Sequence, residues 1–281
     1  MIERQLTQDH LTAYAGHLLS EERSGGTIEK YVRDAGAFAR WLAGEPVTRE
    51  RAAAWREHLA SSGYAPVTVN SMLAAVNGLF RFLGWEECRV KFLKVQRRLF
   101  RDQSRELTRP EYDRLLEAAR ANDQERLALL MEAICSTGVR VSEVRYLTVE
   151  AAKAGRAEIR LKGKIRVILL PRKLCRKLLK YAAKNKTASG EIFLTRSGKG
   201  LSRRQIWAEM KRLCRKAGVE PSKVFPHNLR HLFATLFYRA CRDIVRLADV
   251  LGHSSIETTR IYLRTAGTEH IRVLESMRLN L

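Results

Sequence analysis

Four short stretches carry the side chains that could act together on a phosphate ester: T-G-V-R-V-S-E-V (137–144), L-K-G-K-I-R-V-I-L-L-P (161–171), P-H-N-L-R-H-L-F-A-T (226–235) and L-G-H-S-S-I-E-T-T-R-I-Y (251–262). Attack on a phosphodiester without a metal requires neutralisation of the extra charge of a pentacoordinate transition state. Guanidinium groups suit that task, because each offers paired donors to phosphate oxygens. Arg140 and Arg230 are the candidates. A phenol is a weak nucleophile at neutral pH and needs a base or a cationic surrounding that stabilises its phenolate. Tyr262 is the candidate nucleophile, and His227, three residues before Arg230 and on the same helical face, could serve it. The departing alkoxide needs a proton, which a lysine with depressed pKa in a cationic pocket can supply.

In this order the four stretches resemble those of the tyrosine recombinase, or phage integrase, family, and its Xer-like members most closely. The resemblance covers essentially the whole chain, but only the second part carries specific motifs. It implies a mainly α fold with a small β-sheet, in which a helical, SAM-like core-binding domain and an α-rich catalytic domain form a clamp on DNA. The activity implied is site-specific recombination through a 3′-phosphotyrosyl intermediate and a Holliday junction, with no metal and no high-energy cofactor. By resemblance, Lys162 matches the family's hairpin lysine, His253 the position that hydrogen-bonds the phosphate, and Glu143 the acidic supporting residue. The catalytic set is then Arg140, Lys162, His227, Arg230, His253 and Tyr262. The hairpin turn is one residue shorter than the common G-K-G-x-K form, so Lys164 is the alternative acid. Cys241 stands where the family usually has the glycine that ends the helix starting at Pro226, so a left-handed turn is expected there at some energetic cost. The chain starts directly with the core-binding bundle, which favours a simple recombinase acting on short inverted-repeat sites in double-stranded DNA. After Tyr262, R-V-L-E-S-M-R-L reads as an amphipathic exchange helix, which in the family docks on a neighbouring subunit of a tetramer of identical or related recombinases.

Other chemistries fit less of this set. His227 and His231 have the spacing of two metal ligands on one helix, yet Asn228 replaces the glutamate of H-E-x-x-H and no cysteine or carboxylate lies close by in sequence. His231 reads as core-facing, with Leu229, Leu232, Phe233 and Leu236 as the apolar stripe. A type IB topoisomerase-like nicking-closing enzyme would share the phosphotyrosine chemistry. A catalytically silent DNA-binding regulator would not need the complete set.

Two cores and a basic surface must position these residues. The chain has 281 residues, enough for two domains, and a net charge of +22 that calls for a polyanionic partner. Residues 1–100 hold 14 Lys+Arg against 11 Asp+Glu, and residues 101–281 hold 38 against 19, so the second part carries the electrostatic footprint. No stretch reaches the roughly 18 apolar residues of a membrane span, and the start does not read as a secretion signal, so a soluble, cytoplasmic protein is expected. Five widely spaced cysteines without a C-x-x-C pair suggest reduced, small core residues.

Residues 1–95 read as a helical bundle. Leu6, Leu11, Tyr14, Leu18 and Leu19 line a first helix ended by Ser24-Gly25-Gly26, and Thr27 caps a second running to Leu42. Two more are expected, from Thr48 to Ala60 and from Pro66 to Leu83. Residues 96–106 read as a basic linker and 107–281 as the catalytic domain. There, Thr108-x-x-Glu111 and Ser202-x-x-Gln205 are capping boxes, and residues 157–170 read as a hairpin turning on Gly163. Further helices are expected from Leu127 to near Gly138, from Pro171 to Ala183, from Pro226 to Ala240 and from Asp243 to Leu251, with a strand at Ile192-Phe193-Leu194.

Overall fold

A computed structural model describes residues 4–95, 103–161, 164–253, 255–260, 262 and 276, the side chains of residues 103, 160, 161, 164 and 165 excepted. The chain divides into two compact units, Met1–Arg97 and Arg98–Leu281. Most of the expected linker, residues 96–102, falls outside the described part.

The first unit is built from α1 (Gln8–Ser20), α2 (Gly25–Leu42), α3 (Arg49–Ser61) and α4 (Pro66–Phe82). Hydroxyls set its helix starts: Thr7, Ser24 and Thr48 each accept a backbone N–H of the first turn. Ser24, not Thr27, therefore caps α2, and Gly25 and Gly26 begin that helix instead of ending α1. The left-handed residue after α1 is Glu22, at φ 55°. Phe38, Trp55, Leu73 and Phe80 form the main core, while Tyr14, Leu18 and Leu79 form a second cluster. Leu19, expected on the inner face of α1, is exposed.

The second unit opens with α5 (Arg109–Ala121), started by the Thr108–Glu111 capping box, and α6 (Glu125–Thr137). A 3-10 turn (Val141–Tyr146) and the short α7 (Val149–Ala154) lead into an antiparallel hairpin of β1 (Arg156–Leu161) and β2 (Lys164–Leu169). Its register pairs Ile159 with Arg166 and Leu161 with Lys164. Lys162 and Gly163, between the strands, lie outside the described residues. Then come α8 (Arg172–Lys184), α9 (Arg203–Ala217), α10 (Pro226–Cys241), α11 (Ile244–Leu251) and α12 (Ile256–Arg260). Of the expected exchange helix only Ser276 is described, and it is helical.

Leu130, Ile134, Leu147, Ile159, Leu178, Leu213 and Leu229 share one core, in which α6 packs against α10 and the hairpin against α7 and the 3-10 turn. Ile192 and Phe193 are buried, but the expected strand is absent. Only isolated bridges, Thr148 with Glu191 and Leu194 with Gly200, flank them, so this run fills the core without a ladder. Cys88, Cys175 and Cys214 are buried free thiols, and Cys135 and Cys241 are half-buried.

The end of α10 corrects the sequence reading by one position. Cys241 is still helical, and the left-handed cap is Arg242, at φ 54°. A side chain with a Cβ costs about 1 kcal/mol in that conformation. Arg242→Gly is expected to raise the unfolding free energy of this unit by about 1 kcal/mol in urea titration. An unchanged or lower midpoint would show that the strain is not there.

Candidate active site

The ends of two helices prepare the site. α6 stops at Gly138, left-handed at φ 65°, where a Cβ would run into the Phe233 ring. α11 stops at Gly252, left-handed at φ 61°, where a Cβ would run into the side chain of Arg166. Helix C-termini present carbonyls that lack intrahelical partners and carry partial negative charge. Here those carbonyls face arginines.

Arg230, on α10, is buried at 3% exposure. Its Nη1 donates to Gly138 O and its Nη2 to Leu251 O at 2.8 Å, so one guanidinium joins the ends of α6 and α11. Nη2 also lies 3.0 Å from His253 Nε2. Burial, helped by the neighbouring Arg140, lowers the pKa of Arg230 below the usual guanidinium value, while a hydrogen bond to the Tyr262 side chain works in the opposite direction. The group remains a cation at neutral pH.

Arg140 follows α6 and is more open, with a side chain 40% exposed. Its backbone N–H donates to Glu143 Oε2 at 2.9 Å and its Nη1 to Glu143 Oε1 at 2.8 Å. Glu143 is buried, so one carboxylate fixes both the backbone and the guanidinium of Arg140. Arg166 approaches the same carboxylate, with Nη1 3.3 Å from Oε2, while its Nη2 donates to Val250 O at 3.0 Å.

His253 sits directly after Gly252. Because Arg230 can only donate, His253 Nε2 accepts, and the ring proton resides on Nδ1, 2.9 Å from Thr259 Oγ1. Burial first, and then the charges of Arg230, Arg140 and Arg166, push its pKa down to about 4. The ring is neutral at pH 7.

Tyr262 is 5% exposed and packs on Ala234, Leu247 and Leu251. Its ring stacks on His253 at 5.8 Å between centroids and 11° between planes. His231 lies 5.1 Å from it and His227 6.1 Å. His227, near the start of α10, is exposed, and His231, one turn further on, is buried as expected of a core-facing histidine, yet also touches the tyrosine ring.

The structure thus gathers Arg140, Glu143, His227, Arg230, His253 and Tyr262 in one place. Lys162 lies outside the described residues. Lys164 opens β2, two residues before Arg166, and its side chain is not described. Arg166 and Thr259 were missed in the sequence. Arg166 could have been found from strand alternation, since it shares a face with buried Ile168 and is a charge at a core-facing position. Thr259 carries no such signal.

The sequence and the fold both have known counterparts. The model of the phage integrase family matches residues 105–269, and that of the phage integrase N-terminal SAM-like domain matches residues 11–87. The chain belongs to the phage integrase family. Tyrosine recombinase XerA of Thermococcus kodakarensis is 32% identical over 262 residues, spanning 90% of this chain and 89% of that protein. Tyrosine recombinase XerD of Brucella suis is 32% identical over 275 residues, spanning 87% and 89%. A lambda integrase tetramer bound to a Holliday junction shares the fold at a TM-score of 0.75 and 20% identity, over 93% of this chain and 78% of that one. XerH recombinase bound to its difH substrate does so at 0.67 and 19%, over 94% and 88%. Among the described residues no helix is long and apolar enough to cross a membrane.

The depressed pKa of His253 has a consequence for stability. Between about 4 in the folded state and the ordinary 6.5 of an unfolded chain, the unfolded state binds the extra proton. The residue's contribution is complete above pH 6.5 and drains away as the pH falls toward 4. A His253→Gln variant is expected to lose less stability than the wild type between about pH 7 and about pH 4.5, measured as urea midpoints. Parallel pH profiles would contradict a neutral, desolvated His253.

Proposed function

We propose that this protein is a site-specific DNA recombinase in which Tyr262 attacks the scissile phosphate. The observation that carries the reading is Tyr262 itself, buried beside Arg230 and stacked on neutral His253 in a chain of the phage integrase family. A bond forms between the phenolic oxygen and phosphorus while the bond to the 5′ oxygen breaks, leaving a 3′-phosphotyrosyl link. Arg140 and Arg230 stabilise the charge on the nonbridging oxygens. His227, whose exposed ring stands 6.1 Å from that of Tyr262, takes the phenolic proton. Lys162, or Lys164 in its place, gives a proton to the leaving 5′ oxygen. The link conserves the energy of the phosphodiester, so a 5′ hydroxyl from a second duplex can reverse the step and pass through a Holliday junction. The partner is double-stranded DNA with short inverted repeats, and the working assembly is a tetramer of this or related recombinases, joined by exchange of the C-terminal helix.

A nicked substrate that traps the intermediate tests this. Wild type is expected to give a covalent protein–DNA adduct, and Tyr262→Phe none, with binding nearly intact. Undiminished adduct in that variant would reject Tyr262. The same assay separates the lysines when the bridging 5′ oxygen is replaced by sulfur, a leaving group that needs no proton. Loss of the acid should slow cleavage roughly 10²- to 10⁴-fold on ordinary DNA and hardly at all on the sulfur substrate. Rescue of Lys162→Ala identifies Lys162, rescue of Lys164→Ala alone identifies Lys164, and rescue of neither rejects a lysine acid. Strand exchange between two sites distinguishes recombination from nicking and closing.

A further inference from the structure

Arg166 is largely covered, with a side chain only 12% exposed, and it touches three parts of the site at once. Nη1 lies 3.4 Å from Glu143 Oε1 and 3.3 Å from Oε2, Nη2 donates to Val250 O, and the side chain covers Gly252 where only a glycine leaves room. Its Nε is buried without a hydrogen-bond partner. A buried donor left unpaired is costly, so packing against Gly252 alone does not account for it.

The charge count gives a reason. Arg140, Arg166 and Arg230 surround one carboxylate among the described residues, that of Glu143. Were Glu143 opposed by Arg140 alone, the pair would be close to neutral and the forward potential of Arg140 weak. With Arg166 on the same two oxygens, one negative charge is divided between two guanidinium groups, and the cluster keeps a net charge of about +2 at the mouth where Arg140 is exposed.

We propose that Arg166 is a positioning residue for phosphate chemistry: it shares the Glu143 carboxylate with Arg140, so that Arg140 is oriented by Glu143 without being neutralised by it. The proposal rests on the recombinase reading above. Arg166 itself does not touch the phosphate, and its effect reaches the nonbridging oxygens through Arg140.

The test is single-turnover adduct formation by Arg166→Met, whose side chain keeps the apolar cover over Gly252, on two substrates. One carries the ordinary scissile phosphodiester and the other a methylphosphonate there, which lacks the negative charge. The variant is expected to be slower than wild type by about 10- to 100-fold on the phosphodiester and within a few-fold of it on the methylphosphonate. Arg140→Ala should show the same pattern with a larger deficit. A second variant guards against loss of packing: adding Glu143→Gln to Arg166→Met removes the charge that then quenches Arg140, and the double variant should cleave the phosphodiester faster than Arg166→Met alone. An equal deficit on both substrates, no deficit on either, or a double variant slower than the single one would each overturn the proposal. If Arg166→Met does not fold, Arg166→Lys retains the charge, and cleavage at nearly the wild-type rate is then required. Absence of adduct from the wild type on both substrates would instead reject the recombinase reading.

Discussion

The site depends on one buried cation satisfied mainly by carbonyls. Burying a guanidinium is expensive unless its donors are met, and Arg230 meets them with Gly138 O and Leu251 O. Each is a carbonyl at the C-terminal end of a helix, where partial negative charge is concentrated. These contacts fix the charge in place while cancelling only part of it. An anion entering the pocket finds a pre-oriented positive centre and need not wait for side chains to reorganise.

The same economy extends to its neighbours. The last turn of α11 offers Val250 O to Arg166 and Leu251 O to Arg230, while Gly252 O comes within 3.5 Å of Arg140 Nη2. One helix end thus gathers three arginines that would repel one another in open solution, and Glu143 holds two of them from the other side. The turn that ends α11 also delivers His253, and α12, through Thr259 Oγ1, accepts the Nδ1 proton of the tautomer that Arg230 selects. Tyr262 follows directly, its backbone N–H donating to Thr259 O at 3.0 Å. Tyr262 and His253 are therefore set by one short run of chain against one buried side chain, that of Arg230.

Much of this was legible in the sequence. Arg140, Arg230, His253 and Tyr262 stood in motifs, and the elements around them announced themselves through hydroxyl caps, alternation in β1 and β2, and glycines at positions 138 and 252. Where the reading failed, local signals competed. Ser24 and Thr27 can both cap α2, and the hydrogen bond from Thr27 N–H to Ser24 Oγ decides between them. Cys241 sat at a position expected to be glycine, but α10 gained a residue and passed the left-handed turn to Arg242. The Ile192 run was apolar because it is core, not because it pairs in a sheet. Arg166 was overlooked because its one flag, a charge on the strand face it shares with Ile168, is easily passed over in a domain rich in arginine.

Arg230→Lys tests the central claim most directly, because it keeps the charge and removes the fork. The measurement is the rate of adduct formation on nicked DNA at saturating protein, in a variant shown by thermal melting to remain folded. If a pre-oriented guanidinium bridging two helix ends is what activates the phosphate, cleavage should fall on the order of 10²-fold while DNA affinity stays within a few-fold. Cleavage close to the wild-type rate would mean that any cation suffices there, and the account of the site built on Arg230 would be wrong.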